Sequence, residues 1–150
     1  MKIKIILISL CLFCASTGFS QNKLFDKYAD MDGVTSVYIS KAMFQMMPKI
    51  ENVGVNLMNM KGKIESLQLV TTEKPDLIAK MKKEFSQLVT NQHQELMRVK
   101  DGDSRVSFYS NMKDDKIKDL LMLIESEENF TAIMLVGNFT LKDIQEIAEQ

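Results

Sequence analysis

The chain has 150 residues, of which 45% are hydrophobic, 26% charged and 7% aromatic, and its formal net charge is -1. That suits one domain with a sizeable core and excludes a disordered tail, a collagen-like chain and a multi-span membrane protein. A balance so close to zero also argues against a nucleic-acid binder, which needs a basic face to neutralise phosphates.

Residues 1–20 read as an address rather than as structure. Lys2 and Lys4 form a short positive stretch, Ile5 to Phe13 is an apolar run broken only by Ser9, and Gly18 and Ser20 put small residues before Gln21. This is the three-part pattern of a secretory signal peptide with cleavage near Ser20/Gln21, and its apolar run is too short to anchor the chain across a bilayer. Lipidation is not expected: Cys11 follows Leu10 and Cys14 follows Phe13, and neither is the small residue that a lipobox places before its cysteine. The expected product, residues 21–150, is periplasmic or secreted and forms a single α+β domain. Losing Lys2 and Lys4 leaves it 17 basic side chains against 20 acidic ones, and both cysteines depart with the signal. No disulfide, thiolate metal ligand, cysteine nucleophile or membrane span is then expected in it.

Asn22 to Asp30 places Leu24, Phe25, Tyr28 and Ala29 at helical spacing, and Asp32-Gly33 then marks a turn. Val34 to Ser40 is rich in β-branched residues and predicts a strand, after which Ser40 can cap a helix running through Met47, ahead of Pro48. Residues 49–63 have no clear period. Ile64 to Thr72 alternates Leu67 and Leu69 against Ser66 and Gln68, which predicts a strand with one wet face. Pro75 suits the first turn of an amphipathic helix extending to about Asn91, with Leu77, Ile78, Met81, Phe85, Leu88 and Val89 on its apolar stripe.

Glu95 to Lys100 and Arg105 to Met112 predict two strands joined by an Asp101-Gly102-Asp103 turn. Ile117 to Glu125 reads as helix or strand, because Leu120 to Ile124 is apolar on both faces, and Phe130 to Val136 reads as a buried strand that Gly137 and Asn138 break. Thr140 and Asp143 form a variant capping box for a last helix, flanked by a Phe139–Ile144 hydrophobic staple, with Leu141, Ile144, Ile147 and Ala148 toward the sheet. The order predicts an α+β fold: a mostly antiparallel sheet of about five to six strands with two to three helices packed on one face.

The residues supply little catalytic chemistry. His93 is the single histidine, placed where it can meet the terminal carbonyls of the preceding helix. There is no second histidine for zinc, no Gly-x-Ser-x-Gly elbow, no phosphate loop and no dinucleotide fingerprint. Neither Asp26, Asp30 and Asp32 nor Asp101 and Asp103 belong to the longer ligand run of a calcium loop. The expectation is a domain that is not an enzyme and carries no cofactor and no resident metal.

The unusual feature is the methionine content, 12 residues. Met43, Phe44, Met46, Met47, Met58 and Met60 are the candidate partner- or ligand-binding residues, because methionine-rich surfaces adapt to partners. The leading expectation is a cell-envelope domain that binds a protein partner or an envelope component. The alternative is a carrier of an apolar small molecule or of copper(I), which soft thioethers suit.

Two segments carry a family resemblance. Tyr28-Ala29-Asp30-Met31-Asp32-Gly33-Val34-Thr35-Ser36-Val37-Tyr38-Ile39-Ser40-Lys41, followed by Met43-Phe44, resembles the opening of a family of small exported Bacteroidetes proteins known as domain of unknown function 4252. Gly137-x-Phe139-Thr140-Leu141-x-Asp143-Ile144 is similar to that family's C-terminal strand–helix junction, so the resemblance covers about residues 22–148. It implies a protein of a Gram-negative cell envelope and brings no catalytic residue with it. Many relatives resemble lipoproteins, from which this chain departs by lacking the lipobox.

Overall fold

A computed structural model describes residues 21–46, 62–113 and 116–148. Residues 1–20, together with Met47, Met58 and Met60, lie outside these residues. The described elements are α1 (Gln21–Ala29), β1 (Val34–Ser40), α2 (Lys41–Met46), β2 (Ile64–Thr72), α3 (Pro75–Ser86), β3 (Gln94–Asp101), β4 (Ser104–Lys113), β5 (Lys116–Glu125), β6 (Phe130–Phe139) and α4 (Leu141–Ala148). The strands form one sheet in the order β1-β2-β6-β5-β4-β3, every neighbouring pair antiparallel. The α+β class and the six strands agree with the sequence reading.

The helix packing does not. Helices lie on both faces of the sheet, and four of them are seen among the described residues, where two to three on one face are expected. Phe25 and Tyr28 of α1 and Met81 and Phe85 of α3 pack on Val70, Leu121, Leu123, Ala132 and Met134. Phe44 of α2 and Ile144 of α4 pack with Leu67, Leu120, Met122, Ile133 and Leu135, the alternate residues of the same strands. Successive strand residues point to opposite faces, so the unbroken apolar runs of β5 and β6 supply both cores at once.

Three local expectations change. The helix expected to reach Asn91 ends at Ser86, where the Ser86 hydroxyl donates to the Lys82 carbonyl (2.6 Å). Gln87, Leu88 and Val89 then donate to carbonyls three residues back, so the chain tightens into 3₁₀-type turns while Leu88 and Val89 stay half-buried. His93 consequently lies well beyond the helix end. Its Nδ1 accepts the Thr90 N–H (3.1 Å) and closes a local turn.

β6 continues through Gly137 and Asn138 to Phe139, rather than stopping at Val136. Gly137 pairs with Ile64 beside a bulge in β2, and the Asn138 N–H donates to the Lys63 carbonyl (2.9 Å). The glycine permits a close backbone approach instead of ending the strand. Leu141, expected toward the sheet, is 48% exposed, because the first helical residue after the Thr140 cap points into solvent. Gly33 and Gly102 adopt φ of +86° and +58°, as their turns require.

Candidate functional site

The two edges of the sheet are chemically opposite. β3 carries Glu95, Arg98, Lys100 and Asp101 and has a register shift between Glu95 and Met97. Charges and bulges of this kind are what keep an exposed strand from pairing with another chain. β1, Val-Thr-Ser-Val-Tyr-Ile-Ser, has no charge, no proline and no bulge, and it pairs with β2 in unbroken register from Val34↔Thr72 to Ser40↔Ser66. Among the described residues no strand pairs with the outer side of β1, so alternate residues turn N–H and C=O groups outward along a regular seven-residue edge.

The chain passes from β1 into α2 with no loop. The Ser40 hydroxyl accepts the Met43 N–H (3.4 Å), the capping predicted for it. This turn sends Phe44 into the core with no exposed surface, while Met43 (48%) and Met46 (75%), three residues apart, face solvent. Among the described residues six large hydrophobics are exposed, and four of them are Val37 (39%), Tyr38 (65%), Met43 and Met46. The candidate set is therefore divided: Met43 and Met46 belong to a surface, Phe44 to the core, and Met47, Met58 and Met60 lie outside the described residues. The backbone edge and Tyr38 are additions that methionine counting misses. The sequence marks Val34–Ser40 as a strand, but its place at an edge comes only from the pairing of the whole sheet.

A cavity of about 280 Å³ opens beside this edge, between α1 and strands β1 and β2. Phe25, Asp26, Ala29, Ser36, Tyr38, Gln68 and Val70 contribute to its mainly apolar walls. A second depression of about 340 Å³ lies at the end of the sheet, with Lys41, Lys63 and Lys116 around it. Lys63 is held there by Asp143 (2.7 Å). Among the described residues no group of three or more His, Cys, Asp and Glu side chains is placed to hold a metal ion. No helix among them is long and apolar enough to cross a membrane.

The shifted acids and phenol are engaged with their neighbours. The buried Tyr28 hydroxyl donates to Glu84 (2.6 Å), which Lys27 also contacts (3.0 Å). Burial, then the hydrogen bond to Glu84 and its charge, push the phenol far above its ordinary range. The Tyr28 hydroxyl, outweighing the opposing effect of burial and joined by Lys27 and Lys80, holds Glu84 below the usual carboxylate range. These contacts tie α1 to α3.

Asp143 accepts the Thr140 N–H (2.8 Å), while its own N–H donates to the Thr140 hydroxyl (3.3 Å), completing the predicted capping box. Burial pushes the Asp143 carboxyl up, but bonds from Lys63 and from the Thr140 N–H and hydroxyl prevail and hold it low. A depressed carboxylate contributes stability above its unfolded pKa and loses it as pH falls through the folded value. Asp143→Ala is therefore expected to cost about 1 kcal/mol at neutral pH. The loss should shrink as acid protonates the wild-type carboxylate, which melting curves at pH 7 and at about pH 2, well under the ordinary carboxylate range, would check. An equal loss at both pH values would refute this account of the cap.

Residues 28–147 match the model of the family described as Domain of unknown function (DUF4252). Neither a curated protein nor a solved structure gives a match.

Proposed function

The chain belongs to the DUF4252 family of domains of unknown function, and from that premise we propose that it is an exported, non-enzymatic domain that binds protein at its β1 edge. The cell envelope, reached through the leader in residues 1–20, is its place of work. The observation that carries the reading is the exposure of Val37 and Tyr38 on a strand with an uncharged, regular backbone, and of Met43 and Met46 on the helix that follows it. An extended segment added to such an edge gains main-chain hydrogen bonds, and neighbouring apolar side chains and pockets select what is added. Met43 and Met46 supply adaptable contact surface at the end of that strand.

A photo-crosslinking residue in place of Tyr38, Met46 or Val99 separates this surface from the rest of the molecule. In the producing cells, positions 38 and 46 are expected to yield protein adducts and position 99, on β3, to yield none. Absence of adducts at 38 and 46, or equal adducts at all three positions, would overturn the reading. The second reading, a carrier of an apolar small molecule, is favoured by the cavity under α1. At about 280 Å³, that cavity stands at the lower limit of the ~300–1,000 Å³ usual for ligand sites, which places this reading second.

A further inference from the structure

We propose that the occupant of the β1 edge is a second copy of this chain, paired antiparallel to the first about a twofold axis through Val37. This rests on the reading of β1 as a protein-binding edge and says which protein fills it.

Antiparallel self-pairing about Val37 sets Thr35 opposite Ile39, Ser36 opposite Tyr38 and Val34 opposite Ser40 of the second copy. Val37 meets its own equivalent. No charge faces another within the strand, and each residue stays on the face it already occupies, so the two sheets join without a change of register. Tyr38 of each copy comes beside Ser36 of the other, at the rim of the cavity under α1.

The ends of the strand supply orientation. Asp32 lies in the turn before β1 and Lys41 follows its last residue, and neither has an ion-pair partner among the described residues. The antiparallel arrangement brings Lys41 of one copy to the Asp32–Gly33 turn of the other, twice over. A parallel arrangement would set like charge against like charge at both ends. β3 cannot serve equally, since pairing there would bring Glu95, Arg98, Lys100 and Asp101 together around a bulge. One strand pair plus four apolar side chains is a small interface, so the dimer is expected to dissociate on dilution.

Sedimentation velocity on the protein as isolated from its cells, across a wide concentration range, tests the proposal. The expected result is a reversible monomer–dimer equilibrium. Val37→Lys, which opposes two like charges on the axis, should abolish the dimer and leave the far-UV spectrum unchanged. Val99→Lys, on the other edge, should leave the dimer intact. Asp32→Lys should weaken the dimer, and adding Lys41→Asp to it should restore association. A monomer at every concentration, or a dimer indifferent to Val37→Lys, would overturn self-pairing. The mass of the adduct formed from position 38 distinguishes the two failures: a foreign chain would leave the binding edge standing without the second copy, and no adduct would remove both.

Discussion

Phe85→Ala is expected to lower the stability of this domain by about 3–5 kcal/mol, measured as the shift in denaturant midpoint at unchanged slope. Phe85 has no exposed surface and stands at the centre of the aromatic group beneath α1 and α3. Its ring lies 5.1 Å from Phe25 in an edge-on arrangement, 5.6 Å from Tyr28 and 5.9 Å from Phe130. The substitution therefore removes buried apolar surface and leaves a cavity between one helix, a second helix and the sheet. Phe85→Leu should cost less, because it keeps most of the volume and gives up mainly ring contacts worth about 0.5–1.5 kcal/mol each. A loss below about 1 kcal/mol for the alanine variant would mean that this face of the sheet contributes little to the fold.

Gly137→Ala should be unusually costly for the addition of one methyl group. A Cβ at Gly137 would overlap the Lys63 carbonyl oxygen and the ring of Phe139. The carbonyl is backbone and accepts the Asn138 N–H, so it cannot yield without loss of the β2–β6 junction. The expected loss is about 2–3 kcal/mol, the upper part of the usual overpacking range. Gly62→Ala provides the comparison, since among the described residues nothing lies within 4 Å of a Cβ there, and it should change stability by less than about 0.5 kcal/mol. Equal effects at the two glycines would contradict the close approach at Lys63.

These two positions show different relations between sequence and structure. Phe85 is legible in advance: it lies on the apolar stripe with Leu77, Ile78 and Met81, and that periodicity alone predicts a buried helix face. Gly137 is legible only as a glycine. Sequence reading makes it a strand breaker, whereas the neighbouring chain crosses so close that no side chain fits and the strand runs on. The same limit applies at Ser86. The continuing apolar pattern of Leu88 and Val89 extends the predicted helix, while a hydroxyl bond to Lys82 and a tighter turn end it.

The binding surface divides in the same way. Composition singles out Met43, Phe44 and Met46, but the direction of each depends on where α2 begins, which the Ser40 cap sets to the residue. One helical position between two exposed methionines sends Phe44 under the sheet. Nothing in the strand's composition says that β1 lies at an edge. That follows from β2 pairing with β6 on its other side, a contact between residues 58 to 73 positions apart.

What the sequence by itself determined is local. It includes the turns at Gly33 and Gly102, the start of α3 at Pro75, the Thr140–Asp143 cap, the limits of β1 and β2, and the antiparallel α+β class. Each depends on residues a few positions apart, where backbone sterics, hydrogen bonding and apolar period act directly. The tertiary structure alone decided the strand order, the division of the helices between two faces, the exposure of β1 and the close approach at Gly137. Those follow from which apolar face finds which partner across the whole chain. Burial rewards any satisfactory pairing of faces, and only the packed molecule selects one of them.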